Sequence, residues 1–155
     1  MNVKTVIQQQ YRSIVDNAAE AIISLRLPPE GWLRTVRSAL GMSGAEVARK
    51  LGVTRARVTA AERAELDGGI TLKSMQAMAE AMGCRFAYAI IPPSGHIEDL
   101  ITAQARKKAL AIVGTTSTHM ALENQKLPDA AIAQEVERLT REIARERPSD
   151  FWNDK

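Results

Sequence analysis

The sequence predicts a mainly α protein with one short β-strand, and three observations carry that expectation. Apolar residues recur at steps of three and four through most of the 155 residues. Helix-starting Ser and Thr and helix-ending Gly punctuate the middle of the chain at short intervals. Only CRFAYAII, residues 84–91, alternates with a period of two, setting Phe86, Tyr88 and Ile90 against Ala87, Ala89 and Ile91. Composition agrees: aromatics make up 4%, and alanine, the strongest helix former, is abundant.

Residues 1–30 read as an N-terminal helix and linker. Ile7, Tyr11, Ile14, Ala18, Ile22 and Leu25 form one stripe over residues 3–26. Leu27-Pro28-Pro29-Glu30-Gly31 ends it, because proline forces its predecessor out of helical geometry. Residues 31–83 read as a bundle of four short helices. Leu33, Val36 and Leu40 line the first, which stops at Gly41. Ser43 caps the second, and Glu46 three residues later completes a capping box. Val47, Ala48 and Leu51 face inward there, ahead of a left-handed turn at Gly52. Thr54 caps the third, with Val58 and Ala61 buried, and Thr71 caps the fourth, which carries Leu72, Met75, Met78, Ala79 and Met82.

Residues 84–93 hold the strand, closed by Pro92-Pro93. A lone strand in a helical chain leaves backbone groups unpaired, so its expected partner is the same strand of a second copy. That predicts a two-fold homodimer paired through Phe86, Tyr88 and Ile90. Residues 94–155 form a C-terminal helical region in two pieces. Ile97, Leu100, Ile101, Ala105, Ile112 and Val113 define the first, with a kink expected at Gly114-Thr115-Thr116-Ser117. Ile132, Val136, Leu139 and Ile143 make a packing seam on the second, flanked by Glu137–Arg141 and Arg138–Glu142 pairs. Phe151 and Trp152 follow, either as an anchor on the body or as a partner contact.

Several function classes fall away. No apolar run reaches membrane-spanning length and MNVKTVIQQQ lacks a signal peptide's apolar segment, so no membrane partner is expected. The single Cys84 cannot form an internal disulfide and suits a reducing cytoplasm. His96 and His119 are isolated, and Gly68-Gly69 is too short for a phosphate loop. The expectation is therefore a protein without catalysis, cofactor or metal. Net charge is only +3, but residues 31–91 hold nine Lys/Arg against five Asp/Glu. Arg49, Lys50, Arg55 and Arg57 fall within nine residues that contain no acid, which points to a polyanion.

The segment MSGAEVARKLGVTRARVTAAERA has the spacing of a helix-turn-helix: two short helices joined at a glycine, small Ala48 allowing close approach, and Val58 beneath the second helix. That second helix must stand clear to enter a major groove roughly 12 Å wide. Arg55, Ala56 and Arg57 open it, with Thr59 and Arg63 further along.

Residues 32–83 resemble the phage-repressor type of helix-turn-helix, the XRE family. By that resemblance Ser43 and Thr54 match capping positions that also touch phosphate, and Arg55, Ala56 and Ala60 fall on base-reading positions. Arg37 and Glu62 match a structural ion pair. Gly44 stands where many members have Gln, so direct readout of double-stranded operator DNA falls to Arg55 and Arg57.

The whole chain is similar to the mobile mystery protein A family, through PPEGWLRTVRSALGMS, DGGITLKSMQAMAEAMGCRFAYAIIP, HMALENQ and a tryptophan near the end. Members are typically encoded beside a Fic-domain protein, mobile mystery protein B. The resemblance implies an antitoxin that inhibits a Fic-type nucleotidyltransferase toxin and represses its own operon. The inhibitory helix of Fic systems has the pattern Ser/Thr-x-x-x-Glu-Gly/Asn, whose glutamate pairs with an arginine needed for the ATP γ-phosphate. Glu123 and Asn124 fit its last two positions, His119 stands at the first, and Thr118 lies one residue earlier. Two other readings stand beside it: a stand-alone regulator that uses the same Arg55 and Arg57 with a helical sensing or dimerisation region, and an adaptor that binds protein through residues 96–152 and has lost DNA binding.

Overall fold

The structure, a computed structural model, describes residues 2–154. Among the described residues seven helices run in the order α1 (Val3–Ile22), α2 (Trp32–Ala39), α3 (Gly44–Leu51), α4 (Arg55–Asp67), α5 (Leu72–Ala81), α6 (Ile97–Leu122) and α7 (Asp129–Glu146). They divide between two compact units, residues 24–89 and residues 2–23 with 90–154.

The unit of residues 24–89 holds α2 to α5 around one core. Leu33, Val47, Ala48, Val58, Met75, Met78 and Met82 are buried together there. The local signals act as the sequence predicts. Ser43 accepts a hydrogen bond from the Glu46 N–H and Glu46 accepts one from the Ser43 N–H, closing a capping box on α3. Thr54 and Thr71 accept from Arg57 N–H and Ser74 N–H to start α4 and α5. Gly52 ends α3 at φ +69°, a left-handed conformation in which a side chain would be strained. Leu40 and Leu72, expected to face inward, are instead about half exposed, at 49% and 54%; the seven core side chains fill the bundle without them.

The expected strand does not form: among the described residues there is no strand, and residues 84–91 run as extended coil. The period-two pattern is real, since the Phe86 and Tyr88 rings lie on one side with centroids 5.7 Å apart. Phe86 packs against the α2–α5 core, while Tyr88 and Ile90 stand 70% and 88% exposed. A strand is defined by a ladder, and among the described residues no segment pairs with 84–91 to make one.

The other unit is built on α6 and α7. Ile101 and Ala105 meet Ile143 and Ala144, and Ala109 and Val113 meet Val136 and Ile132, so the two helices run antiparallel. Ala105 and Ala109 are fully buried, and their small side chains let the axes approach closely. The predicted seam on α7 packs as expected. Arg138 pairs with Glu142 at 2.7 Å, but Glu137 reaches across to Arg106 of α6 rather than along its own helix to Arg141. The weak helix segment at 114–117 does not end the helix. Thr115, Thr116 and Thr118 return their hydroxyls to the carbonyls four residues back, and α6 continues to Leu122.

Phe151 is buried against Ile101 and Ala105, and its carbonyl accepts from Gln104 Nε2 at 2.7 Å. Lys107 holds Asp154 at 2.8 Å. Phe151 is thus an anchor, whereas Trp152, edge-on to it at 4.7 Å, is 62% exposed. Helix α1 ends sooner than predicted and turns a different face inward. Arg12 pairs with Glu98 at 2.7 Å, the Asp16 carboxylate accepts from the Ile97 N–H, and Ala19 is buried. Of the predicted stripe, Ile7, Tyr11 and Ile14 are left open, the last two at 65% and 64% exposure, while Ala18 and Ile22 are half-buried.

Candidate nucleic-acid interface

Helices α3 and α4 make the turn, and α4 presents the candidate surface. Residues four apart on a helix share a face. Arg55, Thr59 and Arg63 therefore fall in one line with Ala56 and Ala60 beside them, and these five line a single open concavity. All of them are exposed. The Thr59 hydroxyl donates to the Arg55 carbonyl, and the Arg55 stem runs past Gly44, where an added Cβ would lie 3.7 Å from Arg55 Cγ. The missing side chain at Gly44 thus leaves the first turn of α3 as a shelf for Arg55.

Arg57 stands apart from that line. It borders a second cleft with Val53, Ile70 and Thr71, between the α3–α4 turn and the start of α5. Among the described residues Arg49, Lys50, Arg55, Arg57 and Arg63 make no ion pair. Their charges face solvent and are available to a polyanion.

Two acids of α4, Glu62 and Glu65, are engaged by α2. Arg37 of α2 grips Glu62 bidentately, Nε to Oε1 at 2.5 Å and Nη2 to Oε2 at 3.2 Å, and its Nη1 donates to the Met42 carbonyl. The hydrogen bond to Glu62 raises the Arg37 pKa above its ordinary value, against the opposing effect of burial. The resemblance pointed to this pair. It did not point to Glu65, whose carboxylate accepts from the backbone N–H of Trp32 at 2.6 Å and of Leu33 at 2.9 Å. Glu65 is therefore the N-cap of α2, supplied from a different helix, because the residue before α2 is Gly31 and has no side chain to offer. Two clues lie in the sequence: a helix start without Ser, Thr, Asp or Asn, and a second glutamate three residues after Glu62 on the same face of α4.

Ser43 and Thr54, the expected phosphate-contacting caps, sit exposed at the starts of α3 and α4. The Ser43 N–H is the main cause holding the Glu46 carboxyl below its usual value. That contribution is present above the unfolded-state pKa and is lost as pH falls through the lowered value.

His119 and Glu123 lie far along the chain, at the end of α6. His119 occupies the last turn, and the Glu123 N–H donates to its carbonyl at 3.3 Å. Asn124 takes a left-handed conformation, φ +56°, and stops the helix. All three are exposed, and the Thr118 hydroxyl is committed to the Gly114 carbonyl.

Among the described residues no group of three His, Cys, Asp or Glu could hold a metal, and no helix is long and apolar enough to cross a membrane. No curated protein and no solved structure matches the chain. Residues 33–88, from α2 through the extended segment after α5, match the helix-turn-helix family, and that match supports a DNA-binding transcriptional regulator.

Proposed function

We propose that this protein represses its own operon as a sequence-specific, dimeric DNA-binding antitoxin and inhibits a Fic-type nucleotidyltransferase partner. The observation that carries the DNA half is the α4 face of Arg55, Ala56, Thr59 and Arg63, exposed and free of ion pairs while Glu62 and Glu65 are turned towards α2. Arg55 is the base reader, since arginine offers guanine two parallel donors. Arg57, off that line, contacts the phosphate backbone, as do the caps Ser43 and Thr54 and the cation of Arg63. A single four-helix module reads one half-site, so a dimer reads two in one palindromic operator.

Arg55→Ala should weaken operator binding roughly five- to hundredfold, the equivalent of about 1–3 kcal/mol of base discrimination. Its effect on random DNA should be much smaller in a fluorescence-anisotropy titration. Equal losses on both would reduce Arg55 to a phosphate contact. Operator affinity of the wild type should also fall steeply with salt, and a flat response would remove the DNA-binding reading altogether.

The antitoxin half rests on the resemblance to mobile mystery protein A and on the HMALENQ segment at the exposed end of α6. There Glu123 is the group that engages the partner's γ-phosphate arginine, with His119 one turn earlier and Asn124 ending the helix. Glu123→Ala should release nucleotide transfer by a co-expressed Fic partner, read as label incorporated from ATP. Unchanged inhibition would show that this helix end does not enter the ATP site.

A further inference from the structure

The unit of residues 24–89 contains a third concave feature, lined by no residue of α4. Helices α2 and α5 and the extended residues 84–87 enclose a cleft of about 260 Å³. Its floor is apolar: Leu33, Val36, Met75 and Met82 from the helices, closed on one side by Phe86. The volume lies just below the roughly 300–1,000 Å³ of pockets that take drug-sized molecules, so it suits a compact ligand. Of the lining side chains only Arg85 is charged; it is exposed and makes no ion pair among the described residues. An apolar trough with one uncommitted guanidinium at its edge matches an apolar body bearing one carboxylate, because a guanidinium pairs bidentately with that group.

We propose that this cleft binds a compact apolar carboxylate, and that its occupancy is felt by the recognition helix. The link is built into the wall. Trp32 and Leu33 both line the cleft, and their backbone N–H groups are the ones that Glu65 of α4 holds. A molecule seated against the first turn of α2 bears on the hydrogen bonds that position α4. This part rests on the DNA-binding reading, whereas the binding site itself does not.

Trp32 supplies the probe, since Trp152 is the only other tryptophan and can be replaced by phenylalanine. Full-length protein carrying Trp152→Phe is titrated with sodium octanoate and, separately, 3-phenylpropanoate, following Trp32 emission at two protein concentrations. A saturable blue shift is expected with at least one of them, with half-saturation at or below about 1 mM, as befits a ligand of some ten heavy atoms. Arg85→Gln should weaken that binding roughly tenfold by removing a charged hydrogen-bond donor. Ala87→Phe, at an exposed lining position, should block it without touching the core. No saturable shift with either carboxylate overturns the proposal. So does 1-octanol binding as tightly as octanoate, because the arginine then has no role. So does an emission change that follows protein concentration and not ligand, because the cleft is then covered by a second copy. The coupling is read separately: saturating ligand should change the operator Kd at least threefold, and this change should disappear in Arg85→Gln. An unchanged operator Kd with the cleft filled overturns the coupling, while failure of the protein to bind DNA leaves the emission titration intact.

Discussion

Gly31→Ala should lower the stability of the residues 24–89 unit by about 3 kcal/mol, the sum of a backbone term and a lost cap. Gly31 sits at φ +82° and ψ +162°, a region that residues with a Cβ essentially do not enter. A Cβ built there would also lie 2.9 Å from both Cδ and Oε1 of Glu65, the carboxylate that caps α2. The new methyl therefore strains its own backbone and expels the group that satisfies the Trp32 and Leu33 N–H groups. Thermal unfolding followed by circular dichroism should show the corresponding transition about 10–20 °C lower. Glu65→Ala alone should cost about 1–2 kcal/mol, as cap losses do. Combining the two should cost less than their sum, because the methyl then has no carboxylate to displace. Strict additivity would mean that the clash contributes nothing and the effect is backbone strain only.

Glu62→Ala should cost about 2–3 kcal/mol, because it leaves the Arg37 guanidinium without its carboxylate in a site that is largely closed to water. The two side chains are only 19% and 13% exposed, so solvent screening is weak compared with a surface pair. The double substitution Arg37→Met with Glu62→Ala should recover part of the loss, since an apolar stem strands no charge. Chemical denaturation of the three variants measures this directly. A loss below about 0.5 kcal/mol for Glu62→Ala, the usual size for an exposed substitution, would show that the pair does not brace α4.

How much of this was legible in the sequence depended on the distance over which each interaction acts. The caps at Ser43, Thr54 and Thr71 were readable because donor and acceptor lie three residues apart, and no tertiary contact competes with them. The Arg37–Glu62 pair came from the resemblance, since nothing local joins residues 25 apart. Glu65 was missed for the same reason: its hydrogen bonds to α2 span 32 and 33 residues. The stripe on α1 was legible as a helix but not as an exposed one. Which face turns inward is decided by Arg12 with Glu98 and Asp16 with Ile97, and those pairs are separated by 86 and 81 residues. At residues 84–91 the alternation was legible, but a ladder requires a second segment that the alternation cannot specify. On α4 the helical period placed Arg55, Thr59 and Arg63 together. That same period sets Arg57 against the α5 side, a division that proximity in the sequence obscures.

On helix α4 two carboxylates, Glu62 and Glu65, are committed to partners on α2, whereas Arg55 and Arg63 make no ion pair among the described residues. With those acids engaged, the uncommitted cations dominate the field that the exposed part of the helix presents. In the neighbourhood of a nucleic acid that field acts before any atom touches, drawing the exposed part of α4 towards the duplex. Anchoring the two glutamates therefore does more than hold the fold. It sets the angle at which productive encounters begin, and so places part of the protein's selectivity in the rate of association.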